Sequence, residues 1–388
     1  MEGGGPLEKA IRDLARMLTS QGPINWEFAR QLALMTATDG ETETNPDPLA
    51  RVRLEELLRV AELHVEEATG LPSGGTAGVL SVRAVTRSDW AFRTLRAWKP
   101  LLETLATAMG RSTDGAPAME DLPSDPMARL LGNLPQAMAP LLFGIQVGSM
   151  VGHLASRAMG QYDLPVPRPV SDELLMVPVA IDGFAQDWSL AVDDVRLWVC
   201  LHEVAHHAVL SRPHVRARLE QLMTQYVDAF QPDPSAFEDR LTMFDPTDLS
   251  SLQATFSDPE VLLGAMESPA QRAVVVPLTA LLSAVVGYVD HVMDTVGRRL
   301  IGSYGSLTEA MRRRRLEEAE GTTFVARLLG VSLDAAAYER GSAFVGGVLE
   351  RAGEEGLARL WHSAKELPTP AELAAPGLWL ARIDLPDD

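Results

Sequence analysis

Apolar residues three and four positions apart recur along most of this chain, and they predict helices for most of its length. A clear case is LARVRLEELLRVAELHVEEATG, residues 49–70, which ends on a glycine and just before Pro72, as a helix does. A second helix runs through DDVRLWVCLHEVAHHAVLSRPH, residues 193–214. There Asp193 or Asp194 can cap the start and Pro213 stops the end, and the residues between are strongly apolar. A third, LLSAVVGYVDHVMDTVG at 281–297, is equally apolar but carries Asp290, His291 and Asp294. Strand-like runs are few, SVRAVTR at 81–87 and LLMVPVAI at 174–181 being the best. Turn-forming residues mark loops at 39–48, at 111–126 and around 231–234. The pattern predicts a mainly α protein, α+β with a minor β component.

The stretch PLLFGIQVGSMVGHLASRAMG, residues 140–160, is about long enough to span a bilayer, and Gly144, Gly148 and Gly152 form a small-residue stripe along it. Gln146, His153 and Arg157 interrupt it, so a tightly packed core helix is the expectation. The run Arg312 to Arg315 is followed by LEEAE, which places Arg313 and Arg314 four residues before Glu317 and Glu318. That spacing predicts a solvated, self-neutralising helix face.

Composition narrows the function. Of 388 residues, 46% are hydrophobic and 22% charged, as in an ordinary globular protein. A net charge of −19 argues against nucleic acid and anionic membrane as partners. With one cysteine, Cys200, no internal disulfide can form, which is compatible with a reducing cytoplasm. The expected location is cytoplasmic, because the amino terminus has early acids and no long apolar run.

The candidate chemistry lies in HEVAHH, residues 202–207. Histidine is scarce, 8 in the whole chain, and three fall within these six positions. His202 and His206 are four apart and share a helix face, so their imidazoles can reach one metal ion. Glu203 is about 100° round the helix, badly placed as a ligand but able to reach a metal-bound water. The spacing therefore predicts His202 and His206 as Zn²⁺ ligands and Glu203 as general base. A satisfied polar cluster in the core is the competing reading. A third ligand is expected from the helix at 281–297, with Asp290 first, then His291 and Asp294. Asp294 is also placed to pair with Arg298. Tyr288 and His207 are candidate oxyanion stabilisers.

These motifs resemble a zincin-like metallopeptidase family of actinobacteria, whose members carry labels such as hydrolase or coenzyme F420 biosynthesis associated protein. The matching pieces are LFGIQVG (142–148), MGQYDLPVP (159–167), VRLWVCLHEVAHH (195–207), GYVDHVMDTVG (287–297), YERGSAFVGGV (338–348) and LPTPAELAAPGLWLARI (367–383). The resemblance implies a zincin-like core built on the HExxH helix packed against a second apolar helix, with His202 and His206 as metal ligands and Glu203 as base. The family pattern carries Glu before the glycine of the second helix, where this chain has Val286 before Gly287. That departure leaves Asp290, one turn on, to supply the third ligand.

The expected organisation is an amino-terminal extension, 1–20, and a single zincin-like domain, 21–388. That domain divides into a helical part at 21–110, a loop at 111–126 and a metal-site core at 127–388. The expected function is a zinc-dependent hydrolase, a metallopeptidase acting on a peptide or small amide. The alternative is a catalytically degenerate zincin-fold binding or assembly protein.

Overall fold

The computed structural model describes residues 22–74, 79–113, 126–230, 268–316, 325–326 and 328–385. In chain order the elements are α1 (Trp26–Thr38), α2 (Pro48–Thr69), β1 (Ser81–Ala84), α3 (Arg87–Thr113), α4 (Pro126–Arg157), β2 (Glu173–Met176), α5 (Pro178–Asp187), α6 (Val192–Leu210) and α7 (Pro213–Asp228). Then come α8 (Pro269–Leu300), α9 (Tyr304–Leu316), α10 (Ala335–Ala358), α11 (Pro370–Ala374) and α12 (Pro376–Ile383). Among the described residues the fold is mainly helical with one small sheet, as the apolar periodicity predicts.

Local chemistry sets the ends of these elements. Asp47 caps α2 by accepting from the Leu49 N–H, Pro48 occupies the first turn, and Gly70 closes the helix with φ +65°. The expected strand at 174–181 stops at Met176, because Pro178 is better used opening α5. β1 and β2 pair in parallel, Val82 opposite Leu174 and Arg83 opposite Leu175. Gly160 forms an isolated antiparallel bridge to Met176, and the Val177 N–H donates to the Met159 carbonyl, so the backbone at 159–160 lies against the end of β2.

The glycine stripe of α4 explains its closest neighbour. A Cβ on Gly148 would lie 2.5 Å from the Ala29 carbonyl oxygen, and one on Gly144 would lie 2.7 Å from that of Asn25. α1 thus lies directly against α4, and the segment at 140–160 is a packed helix of this fold. By length and composition alone, α8 could cross a membrane, but most of its apolar window is buried against α6, α7 and α10. Where α8 meets α10, the backbones of Gly287 and Gly341 touch.

α6 is at the centre. Every residue from Leu197 to Leu210 is buried, with α2, α5, α7 and α8 around it. Its first turn corrects one expectation. The N-cap position is Ala191, without a side-chain cap, and neither Asp193 nor Asp194 fills that role. Asp193 pairs with Arg53 at 2.8 Å, and Asp194 accepts from the Ser303 hydroxyl at 2.6 Å. Both still favour the positive helix start, but they spend their oxygens tying α6 to α2 and to the start of α9.

Candidate metal centre

His202 and His206 project from α6 into one small pocket of about 40 Å³, which Tyr162, Val286, Asp290 and Arg315 also line. Their ring centroids are 4.3 Å apart. The Nδ1–H of His206 donates to the His202 carbonyl at 3.0 Å, which leaves Nε2 as the outward nitrogen. Burial pulls His202 down to about 4 and His206 well below the usual histidine range, so both rings are neutral at pH 7. Trp198 stacks on His202 and Tyr162 on His206. Neutral, oriented imidazoles of this kind are what a metal-binding pair requires.

Glu203 stands apart from that pair. Its carboxylate accepts from the backbone N–H of Gln161 at 2.8 Å and of Tyr162 at 3.0 Å. It packs so tightly on Gly160 that a Cβ there would lie 2.3 Å from its oxygen. Burial, reinforced by Asp163, pushes its pKa well above the ordinary carboxylate range. His202 Nδ1 is 3.5 Å from Glu203 Oε1, but Glu203 is not among the residues lining the pocket.

Asp290 does reach the pocket, and its carboxylate is already engaged. Arg315 grips it through two parallel bonds of 2.9 and 3.0 Å while lying over the Tyr338 ring, 4.5 Å from its centroid. The other candidates point elsewhere. His291 bonds Glu354 at 3.1 Å. Asp294 pairs with Arg298 as the spacing predicts, and also accepts from the Tyr304 hydroxyl. Tyr288 packs edge-on against Trp361. His207 lies in a 2.9 Å hydrogen bond with the Tyr162 hydroxyl.

A catalytic zinc takes three protein donors and keeps one position open. Two donors are in place. Among the described residues, no group of three His, Cys, Asp or Glu side chains is arranged to hold a metal ion. Val286 presents a hydrocarbon wall beside the two histidines, and both Asp290 oxygens face a guanidinium. The side chains present thus fit half a zinc site and do not complete it.

Sequence reasoning missed the arginines. Arg312 and Arg313 pair with Glu309, in keeping with a solvated face, whereas Glu317 and Glu318 lie outside the described residues. Arg314 and Arg315 instead turn inward, Arg314 to Asp163 at 3.3 Å and to the Arg157 carbonyl. Beyond them a cleft of about 620 Å³ opens, sharing Asp290, Arg315 and Tyr338 with the histidine pocket.

The comparisons with known proteins agree with this architecture. A family model described as zincin-like metallopeptidase matches residues 24–380. The chain belongs to that family. A solved structure from Chloroflexus aurantiacus, described as that of a candidate hydrolase with a novel fold, is similar at 25% identity and a TM-score of 0.66. The match covers 94% of this chain and all of the other. No curated protein matches.

Proposed function

We propose that this zincin-family chain uses the HEVAHH pocket and the adjoining cleft to bind a peptide or small amide, with its zinc chemistry lost. One observation carries the reading. Val286 lines the histidine pocket at the position where the family resemblance implies a third donor, and Asp290 in the same pocket is neutralised by Arg315. A metal would have to displace a two-bond ion pair in order to recruit that carboxylate. Glu203 then acts as a structural acceptor that ties α6 to the 160–162 backbone. The cleft, with Trp198, Met311 and Tyr338 beside charged groups, offers apolar and polar contacts to an extended ligand.

The test is zinc content per chain by mass spectrometry, for the wild type, Val286→Glu and Val286→Glu/His202→Ala. The expected result is well under one zinc in the wild type, about one in Val286→Glu, and loss again in the double variant. One zinc per wild-type chain, lost in His202→Ala, would overturn the reading.

A second reading is a zinc-dependent hydrolase, metallopeptidase-like, with His202, His206 and Asp290 as ligands and Glu203 as base. The orientation of His206 by the His202 carbonyl favours it, because that bond presents Nε2 as a ligating nitrogen. It requires Arg315 to release Asp290. Arg315→Gln should then raise zinc occupancy, and unchanged occupancy counts against it.

A further inference from the structure

A separate cavity, of about 350 Å³, lies between α3, α7 and the segment at 167–169. Its walls are largely apolar, with Trp98, Leu101, Pro167 and Met223 among them, and Arg168 is its cation. That guanidinium keeps unusual company. It lies over Trp90 and Trp98, 5.2 and 5.7 Å from their ring centroids. Its Nη2–H donates to the Thr94 hydroxyl at 2.7 Å. Its Nε is buried with no hydrogen-bond partner, and so is the indole nitrogen of Trp98. Among the described residues, no carboxylate stands at ion-pair distance from it.

Indole faces attract a guanidinium, but they leave its in-plane N–H groups without acceptors. Burial draws Arg168 down to about 10, and the charges of Tyr162 and Glu203, neither of them paired with it, offset that desolvation only in part. A guanidinium that lines an apolar cavity, with no carboxylate among the described residues at ion-pair distance, calls for a ligand with an acceptor end and a hydrocarbon body. A carboxylate suits the planar fork of a guanidinium. The volume is that of a small-molecule site. Glu220 also lines the cavity, and its charge disfavours a dianion such as a phosphate monoester.

We propose that this cavity binds a monocarboxylate with an apolar body, its carboxylate anchored by Arg168 and its hydrocarbon held against Trp98, Leu101 and Met223. The site is separate from the histidine pocket and does not depend on how that pocket functions.

Calorimetric titration of the full chain with decanoate tests it, with decanol and decyl phosphate as comparators. The expected result is one decanoate per chain, at least about tenfold weaker binding in Arg168→Gln, and a similar weakening for decanol. Leu101→Trp, which fills the cavity and leaves Arg168 in place, should abolish binding while retaining the helical circular dichroism. That second variant decides the matter if Arg168→Gln fails to fold. No heat with decanoate at millimolar concentration overturns the proposal. So do equal affinity for decanol, undiminished binding in Leu101→Trp, or tighter binding of decyl phosphate.

Discussion

At the scale of single residues, the feature with the largest consequence is histidine held neutral by burial. His202 and His207 are each pulled down to about 4, and His206 lies well below the usual range. In the unfolded chain these rings titrate near the ordinary value of about 6.5. A base with a depressed folded pKa stabilises the fold fully above its unfolded pKa, and that stability is lost as pH falls towards the folded value. Denaturant midpoints measured with chelator present should therefore drop between pH 7 and pH 5. His202 and His207 each contribute on the order of 1–2 kcal/mol, and His206 acts in the same direction. His207→Gln should flatten part of that slope, whereas an unchanged slope would mean that the His207 ring titrates normally. The histidine pair was legible in the sequence, because positions four apart on a helix share a face whatever surrounds them. Arg315 was not. Its partner Asp290 lies 25 residues away on another helix, and a run of four arginines reads as solvated until tertiary packing turns two of them inward.

At the scale of elements, the second apolar helix is positioned by backbone contact. A Cβ on Gly287 would lie 2.3 Å from the carbonyl carbon of Gly341, and one on Gly341 would lie 2.0 Å from the Ser283 carbonyl oxygen. No rotamer change relieves a clash with backbone, so α8 and α10 would have to separate. Gly287→Val is expected to cost about 3 kcal/mol or more, read as a shift in denaturant midpoint. A loss under about 1 kcal/mol would show that α10 is free to move. Because Val286 precedes that contact, the same substitution should also disturb the histidine pocket. Sequence periodicity located α2 well, since caps and prolines are local signals, but found α8 only from residue 281, twelve residues past its start at Pro269. It misjudged the start of α6, because Asp193 and Asp194 found long-range partners in Arg53 and Ser303. It overran β2, because Pro178 serves a helix start as readily as a strand end.

At the scale of the whole molecule, α6 joins the two halves of the described chain. One face meets α2 and α5, the other meets α7 and α8, and α8 also touches α2. Glu203 adds a tie through the 161–162 amides, and Trp90 donates its indole N–H to the Gly160 carbonyl at 2.8 Å, linking α3 to that same backbone. The loop expected at 111–126 lies outside the described residues except at its ends, where α3 runs to Thr113 and α4 starts at Pro126. A helix buried on all sides cannot unfold while its neighbours keep their cores, so its loss exposes apolar surface on α2, α5, α7 and α8 together. Differential scanning calorimetry is therefore expected to show one transition, with calorimetric and van't Hoff enthalpies in agreement. Leu201→Ala, which removes a fully buried α6 side chain, should lower that transition as a unit, at a cost of about 2–5 kcal/mol. Two resolved transitions in the variant, with the earlier one moved and the later one fixed, would show that α6 belongs to one half only. The histidine pocket would then be a surface between bodies, with no place in a common core.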